Sequence, residues 1–520
     1  MMPMPIFARR PLRRVMSALL LLTALPAAAV TNTNTAAVAQ LPGTTPTTIP
    51  PRPEQLVFPP LAFQPPNRET FRRVLPDGSV VYLAPSHEVP LVKLALTFKG
   101  GASLDPADVP GLASLTAQMV REGGTQKLPP AKLDETLDFL ATLVNVSADA
   151  TFTTATLNSL TNNFAESLTL LLDMLRQPAF DADRLASAKA RLIEGLKQRN
   201  DDASSILNRE WQQLLYGTNH FAAREPTDRT VARITPARLM AMHQQIFHPG
   251  NLIIAVTGDF DEPAMLATLT QALAGWERGA LVPDPPPPTQ VLAPGLYHVA
   301  KPIPQGKVVL GMRGIRRDDP DAMALQLLNY ILGNGGFTSR LMQQVRTKAG
   351  LAYSVRSTLT PEVYYPGDFR AGFASKNASV ARATRIVLDQ IRDLRETVVT
   401  EAELATAQQN AIETFPRRFE NKSAMLQLFV NDEWTQRPTD YWATYRERVR
   451  AVTREELLRV AKQHLDPSKM AILVVGDWAE IVAGEADQRA SMRDFFGGVV
   501  QHLPLRDPLT LEPPGGGREP

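Results

Sequence analysis

The chain has 520 residues, of which 44% are hydrophobic and 21% charged, as expected for a globular protein long enough for several domains. Its 55 basic and 53 acidic residues give a net charge of +2, which offers no electrostatic support for nucleic-acid binding. It contains no cysteine, which excludes disulfides, thiolate catalysis and cysteine-ligated metals.

Residues 1–39 predict a signal peptide and its cleavage region. Four arginines between positions 9 and 14 precede an apolar run from Val15 to Leu25, and Ala-Ala-Ala at 27–29 and Ala-Val-Ala at 37–39 offer cleavage sites. The run is shorter than the roughly 20 residues that span a bilayer, so a membrane anchor fits less well. We therefore expect export, most simply to a bacterial periplasm, with no membrane span after signal cleavage.

Proline-rich segments divide the remaining chain. Residues 40–66 are rich in proline and threonine and predict an extended lead-in. Residues 281–296 contain a run of four prolines, which neither a helix nor a central strand accommodates, and predict a linker. The linker separates an N-terminal domain (67–280) from a C-terminal domain (297–500), and the Pro/Gly-rich residues 501–520 predict a disordered tail.

The two predicted domains resemble each other. Residues 248–259 (HPGNLIIAVTGD) and 465–477 (LDPSKMAILVVGD) each combine a proline turn, an apolar strand and a Gly-Asp turn. Asp105-Pro106 and Asp319-Pro320 each lie between an apolar strand and a helix, and are separated by nearly the same number of residues as the two Gly-Asp turns. Two matches at almost one separation indicate a duplicated domain.

Strand and helix patterns alternate within each half. Apolar residues at 92, 94, 96 and 98 predict a half-buried strand, and Pro129-Pro130 predicts the start of a helix over Ala131 to Val144. Further helices are predicted over Asn162 to Arg176, over Asp183 to Arg199 and from Thr400 onward. The predicted fold class is α+β, with two homologous domains that each carry helices on one face of an antiparallel-rich sheet.

Residues 111–119 (GLASLTAQM) resemble the helix G-L-A-H-x-x-E-H-M of the pitrilysin/insulinase family of zinc peptidases. In that family two histidines on one helix face bind Zn²⁺, and the glutamate is the general base for the zinc-bound water. Here Ser114 and Gln118 stand at the histidine positions, and Ala117 stands at the glutamate position.

The family's third ligand is a glutamate about 77 residues after the second histidine, a position occupied here by Gly195. Glu194 is adjacent, but one residue of helix turns the side chain by about 100°. The resemblance therefore implies a degenerate zinc site and no metal in this chain.

Other catalytic centres find little support in the sequence. No two of the seven histidines are three or four residues apart, as a metal-binding helix requires. Ser114 lacks the G-x-S-x-G context of a nucleophilic serine, so helix packing explains it better. The histidines lie at positions 87, 220, 243, 248, 298, 464 and 502.

Residues 333–341 (GNGGFTSRL) and 344–355 (QVRTKAGLAYSV) are similar to a stretch of the family's C-terminal domain. There, an arginine and a tyrosine seven residues apart face the zinc across a closed chamber, and Arg346 and Tyr353 match them. The resemblance implies that the arginine binds a substrate carbonyl or carboxylate and that the tyrosine donates to an oxyanion. The alternative is that Arg346 caps a helix and Tyr353 fills a sheet face.

The glycine-rich segment before Arg346 lacks the phosphate-loop pattern G-x-x-x-x-G-K-[ST]. Instead, Gly335, Gly336 and Ser339 are predicted to form a loop of the substrate chamber, where glycine allows close backbone approach.

The resemblance covers about residues 70–490. Some members of this family are two-domain subunits that pair, with zinc on one subunit and the Arg/Tyr pair on the other, each subunit forming half of a clam-shell. The resemblance implies that this chain is the non-zinc subunit of a heterodimeric metallopeptidase and is inactive alone. Its partner would be a homologous subunit that carries zinc, and its substrate would be a peptide. Arg346 and Tyr353 would then act in the partner's active site. The alternatives are a catalytically inactive peptide-binding or scaffold homologue and, with less support, an independent hydrolase.

Overall fold

Residues 62–514, together with Arg52 and Leu56, are described by the computed structural model. The predicted signal peptide (1–39) and most of the predicted lead-in (40–66) lie outside the described residues. Within the described part of the chain, we find no helix with the length and apolar character needed to cross a bilayer.

One six-stranded sheet belongs to the first half of the chain. Its strands are β1 (Arg72–Val74), β2 (Val80–Pro85), β3 (Leu91–Lys99), β4 (Leu143–Ala148), β5 (Phe152–Leu160) and β6 (Leu252–Gly258). They lie in the order β1-β2-β6-β3-β5-β4, and all neighbours are antiparallel except β2 and β6.

A second six-stranded sheet belongs to the second half. Its strands are β7 (Gly295–Ala300), β8 (Gln305–Arg313), β9 (Ala352–Thr360), β10 (Asp368–Lys376), β11 (Ala471–Gly476) and β12 (Val500–Leu503). The order is β12-β7-β11-β8-β10-β9, with β7 parallel to both of its neighbours. Five strands repeat the order and directions of the first sheet, which confirms the predicted fold class of two antiparallel-rich domains.

Nine α-helices lie in the first half of the described chain. They are α1 (Arg68–Phe71), α2 (Leu112–Glu122), α3 (Pro130–Phe139), α4 (Phe164–Arg176), α5 (Ala182–Lys197), α6 (Ala203–Tyr216), α7 (Asp228–Ala232), α8 (Pro236–Ile246) and α9 (Glu262–Leu273). Proline begins α3 as predicted, but the helix ends near Ala141, whose left-handed φ of 50° precedes strand β4. The predicted continuation of this helix to Val144 is therefore wrong.

The second half of the described chain adds seven α-helices. They are α10 (Ala322–Asn329), α11 (Val380–Glu396), α12 (Glu401–Glu413), α13 (Lys422–Trp434), α14 (Tyr441–Ala451), α15 (Arg454–His464) and α16 (Trp478–Ala483). The predicted start at Thr400 is confirmed by a capping box, in which the Thr400 and Glu403 side chains each accept a hydrogen bond from the other's backbone nitrogen.

Each half covers one face of the other half's sheet with a helix. Helix α6, from the first half, packs on β8 and β11 of the second sheet. Its Trp211 is fully buried, and the indole Nε1 donates to the Asp368 carboxylate at 3.0 Å. Each half of the sequence therefore contributes a helix to the packing of the other half's sheet. The predicted domain boundaries themselves stay predictions.

Helix α13 makes the reciprocal contact on the first sheet. Its Phe429 packs on Tyr82 of β2 with ring centroids 6.1 Å apart, and both residues are fully buried. At the end of α13, the Glu433 carboxylate accepts hydrogen bonds from Arg72 at 2.9 Å and from the Tyr82 hydroxyl at 2.8 Å. Apolar burial and a charge-assisted network thus hold α13 on a sheet built from distant sequence.

The prediction of a disordered tail from residue 501 is wrong for residues 501–514. Strand β12 pairs with β7, and His298 and His502 of these strands lie with their Nδ1 atoms 3.0 Å apart. Beyond β12 the chain returns to the first half, where Arg506 pairs with Glu210 at 3.0 Å. Backbone hydrogen bonds and ion pairs therefore order a segment whose proline and glycine content predicted disorder.

We predict that Glu433→Gln lowers the free energy of unfolding at pH 7 by about 1–3 kcal/mol, because the partly buried network loses its negative charge. Burial raises the pKa of Glu433, but hydrogen bonds from Arg72 and Tyr82 outweigh it, and the pKa is lowered overall. A lowered pKa stabilises the fold above the unfolded-state value of about 4.3, and this stabilisation is lost as the pH falls through the folded-state pKa.

Urea unfolding at pH 7 and near pH 3.5 measures the free energy of unfolding of the unaltered chain and of Glu433→Gln. The difference between the two proteins should be smaller at the lower pH. The matched control is Glu262→Gln, since Glu262 forms a more exposed pair with Arg73, for which we expect less than about 1 kcal/mol. Equal losses in the two variants would contradict a special role for Glu433.

Candidate functional site

The helix that matches the zinc-binding motif is α2. Its first turn begins at Gly111, whose φ of +89° favours glycine. The Asp105 carboxylate accepts hydrogen bonds from the backbone nitrogens of Gly111 and Ala113, both at 2.7 Å. An acidic group at a helix N-terminus satisfies free backbone donors and complements the helix dipole.

The four degenerate positions differ in their surroundings. On α2, Ser114 is exposed, Ala117 is fully buried, and Gln118 is half-buried and donates to the Glu122 carboxylate at 3.0 Å. On α5, Gly195 is exposed, and a Cβ built on it would meet no atom within 4 Å. The three ligand positions of the motif carry a hydroxyl, an amide and a hydrogen, and the position of the general base carries a methyl group. These positions therefore do not fit a catalytic zinc ion.

An ion pair joins the two helices near these positions. Glu122, in the last turn of α2, accepts a hydrogen bond from Arg191 of α5 at 2.6 Å. The amide of Gln118 extends this network along α2. The sequence analysis did not identify either member of the pair, although Glu122 stands four residues after Gln118, the spacing of neighbours on one helix face.

One group of metal-ligating side chains occurs in the described part of the chain: Asp319, Asp321 and His464, whose ligand atoms lie within 4.8 Å of one another. Arg459 pairs with Asp321 at 2.5 Å, and His464 bonds the same carboxylate at 2.7 Å. The hydrogen bond from Arg459 is the main reason that the pKa of Asp321 is lowered. Because a guanidinium already neutralises this carboxylate, the group is better explained as an ion-pair network than as a metal site.

Arg346 and Tyr353, the predicted pair, lie together. The guanidinium carbon of Arg346 is 4.5 Å from the Tyr353 ring centroid and 4.7 Å from that of Phe337. Both aromatic side chains are exposed, Tyr353 by 83% and Phe337 by 61%. Cation–π contact orients the guanidinium and leaves its in-plane N–H donors available.

The backbone that carries Arg346 is unusual. Met342–Lys348 forms a π-helix, a rare conformation that is frequent at functional sites. It ends before Gly350 and is followed by β9, so Arg346 lies on a helix and Tyr353 on the strand that follows it.

The glycine-rich segment forms a tight turn beside this pair. Gly336 has a left-handed φ of +60°, which favours glycine, and its Cα faces open space. A Cβ on Gly335 would lie 2.8 Å from the Tyr330 carbonyl oxygen. Ser339 is buried, and its hydroxyl donates to the Gly336 carbonyl at 2.6 Å. Ser339 thus stabilises the turn, and the predicted role of this loop in a substrate chamber stays a prediction.

Phe337 is the residue of this site that the sequence analysis missed. It follows Gly336, and its exposed ring makes a second cation–π contact with the Arg346 guanidinium. A large apolar residue after two glycines in an otherwise polar turn is a signal that could have identified it.

Comparison with known proteins places these features in a family. Residues 80–223 match the model described as insulinase (peptidase family M16), and residues 233–411 match the model described as peptidase M16 inactive domain. A protein of Helicobacter pylori named non-peptidase homolog YmxG is 26% identical over 399 residues, which cover 75% of this chain and 90% of that protein.

Solved structures give the same result. A peptidase M16 inactive domain from Pseudomonas fluorescens superposes with a TM-score of 0.70 and 26% identity, over 78% of this chain and 97% of that one. The periplasmic protease PqqL from Escherichia coli shares the fold, with a TM-score of 0.66 and 19% identity, over 86% of this chain and 49% of that one.

We predict that the chain as it stands retains no stoichiometric zinc, and that Ser114→His with Gln118→His adds only weak binding. Adding Gly195→Glu should tighten zinc binding by about tenfold or more, because a catalytic zinc needs three protein ligands and position 195 has room for the side chain. Competition titration against a chromogenic chelator measures each affinity.

The matched control replaces Gly195→Glu by Gly195→Gln, which adds the same length of side chain without the carboxylate. Equal zinc affinity in the two triple variants would show that position 195 does not correspond to the distal ligand.

Proposed function

The chain belongs to the insulinase family, peptidase family M16, and on this premise we propose that it is the non-zinc subunit of a heterodimeric zinc metallopeptidase. In this proposal a homologous partner subunit holds the zinc ion, and this chain helps to enclose the peptide. It supplies Arg346 and Tyr353 to the partner's active site.

The observation that carries the proposal is the contrast between the two halves of the chain. The zinc-site positions of the first half bear no ligands, whereas Arg346 of the second half is oriented by two rings on an unusual π-helix. The two exposed rings hold the half-buried guanidinium of Arg346 in one orientation, which a purely structural arginine would not require.

The exposure of Phe337 and Tyr353 supports a partner. Phe337, exposed by 61%, lies beside the matching pair of Arg346 and Tyr353, and Tyr353 is itself exposed by 83%. Enclosure by a second subunit would bury these rings and lower the dielectric around the guanidinium, which strengthens its contact with a substrate carboxylate or oxyanion.

The proposed chemistry of the two side chains follows from their geometry. Arg346 has five N–H donors in a fixed fork, which suits a peptide carbonyl or a terminal carboxylate. The Tyr353 hydroxyl is a donor for an oxygen that gains negative charge in the transition state. The cation–π contact fixes the two groups relative to each other, so both can address one substrate.

We predict that Arg346→Ala lowers kcat/KM of the heterodimer by about 10²–10³-fold, as loss of one transition-state donor commonly does. Tyr353→Phe keeps the ring under the guanidinium and deletes only the hydroxyl, so any loss of activity reports on hydrogen bonding. The measurement is peptide turnover by the chain reconstituted with a homologue that carries intact H-x-x-E-H, beside the thermal stability of each variant.

Arg448→Ala is the matched control, because the Arg448 guanidinium carbon lies 4.2 Å from the Tyr441 ring centroid in an equivalent contact elsewhere. It should leave turnover unchanged. If Arg346→Ala and Tyr353→Phe are also silent while the subunits still assemble, the alternative of an inactive peptide-binding or scaffold homologue replaces the proposal.

We also propose export to a bacterial periplasm, on the basis of the basic and apolar N-terminal residues. Fractionation of cells that produce the full chain, with N-terminal sequencing of the mature protein, tests it. Cleavage near residues 29–39 and release by osmotic shock are expected, and an uncleaved chain in the cytosol would contradict the proposal.

A further inference from the structure

The open face of each sheet forms a cleft beside the helix received from the other half. On the first sheet a cleft of about 410 Å³ lies beside α13 and includes Lys93, Thr156 and Asn158. On the second sheet a cleft of about 500 Å³ lies beside α6, and we call it the basic cleft. The volumes of both clefts lie in the range of ligand-binding pockets.

The basic cleft is lined by three cations, Lys307 of β8, Arg356 of β9 and Arg370 of β10, and by no carboxylate among the described residues. Tyr353 also lines it, which connects the cleft to the Arg346 site.

Strand register places the three cations around a floor of small residues, Gly372 and Ala374 of β10. Gly372 of β10 lies opposite Arg356 on one side and Val309 on the other. Arg370 is two residues from Gly372 on the same face, and Lys307 lies opposite Ala374. Diagonal neighbours in a sheet are about 7–8 Å apart, so the charges surround the floor without filling it.

The cations are only partly neutralised within the chain. In the part of the chain that the structure describes, neither Lys307 nor Arg356 forms an ion pair. Arg370 lies 3.4 Å from Asp368, but that carboxylate also binds Trp211. Asp202 lies near Lys307, and its carboxylate is bonded to the Ser205 nitrogen at 2.8 Å.

The duplication supplies an internal comparison. Lys93 and Lys307 are separated by the same number of residues as Asp105 and Asp319, and they occupy the same register in their sheets. At the positions that correspond to Arg370 and Arg356, the first half has Thr154 and Asn145. The scaffold is therefore shared, and two of the three cations are specific to the second sheet.

We propose that the basic cleft binds an extended acidic segment of a peptide, with carboxylates placed against Arg356, Arg370 and Lys307. Unneutralised charge of one sign in a concave site focuses the potential and attracts ligands of the opposite sign. A small-residue floor along neighbouring strands accommodates an extended backbone, from which alternate side chains point to one face.

The terminal segments of this chain do not supply such a ligand. Residues 1–61 contain five arginines and a single acidic residue, Glu54, and residues 515–520 contain one residue of each charge. The occupant is therefore a separate acidic peptide. This inference rests on the proposed function where it names the substrate class, but binding itself requires only this chain.

The experiment measures fluorescence anisotropy of labelled peptides with the full chain in the absence of a partner. The first peptide alternates glutamate with alanine over about eight residues, and two matched peptides carry glutamine or lysine in place of glutamate. We expect the glutamate peptide to bind about tenfold or more tightly than the glutamine peptide, and its affinity to fall between about 0.05 and 0.5 M salt.

Lys307→Gln and Arg356→Gln should each weaken binding of the glutamate peptide by about three- to tenfold. Lys93→Gln removes the equivalent charge from the first sheet and is the matched control, expected to leave binding unchanged. Unaltered melting temperatures would show that the variants remain folded.

Equal binding of the three peptides, or an equal loss in Lys93→Gln and Lys307→Gln, would overturn the inference. Failure of the chain to assemble with a zinc-bearing homologue, while the glutamate peptide still binds the basic cleft, would overturn the proposed function alone.

Discussion

The structure depends on the exchange of two helices between its halves. A sheet with helices on one face leaves its other face open, and here that face is partly apolar in both halves. Helix α13 covers Tyr82 and Ala255 of the first sheet, while α6 covers Val309 and Leu473 of the second. Because each helix buries the other half's sheet, the relative position of the halves is fixed by core packing. The two clefts, the Arg346 site and the degenerate zinc helix all take their places from this arrangement.

Duplication gave the chain two copies of one scaffold, and the chemistry of the copies has diverged. The first copy carries the helix that corresponds to a zinc site but has an ion pair between Glu122 and Arg191 beside it. The second copy carries a guanidinium held by aromatic rings and a cleft lined by cations. Similar backbones therefore present different side chains at corresponding positions, and site chemistry depends on those side chains rather than on the fold.

Local patterns in the sequence predicted those helices, strands and turns that depend on interactions between residues close together in the chain. The apolar strand before Gly476 and the capping box at Thr400 are set by neighbours in sequence, and both were predicted. The match of Arg346 and Tyr353 to the family's pair followed from the residues around them, whereas their proximity is seen only in the structure. The exchange of α6 and α13 could not be predicted in this way. An apolar helix face does not specify which sheet it packs against, and the strands that these helices cover lie far away in the chain. The residues after 500 were misjudged for the same reason: a returning strand depends on contacts absent from the local pattern.

The helix exchange also governs how the nascent chain can fold. All strands of the first sheet have been synthesised once Gly258 is made, yet the helix that covers Ile253 and Ala255 is complete only at Trp434. Until then an apolar surface stays open to chaperones and to the same helix of another copy. Domains commonly fold one after the other during synthesis, but this chain must wait for its second half. The first sheet can therefore complete its packing only after α13 of the second half has been synthesised.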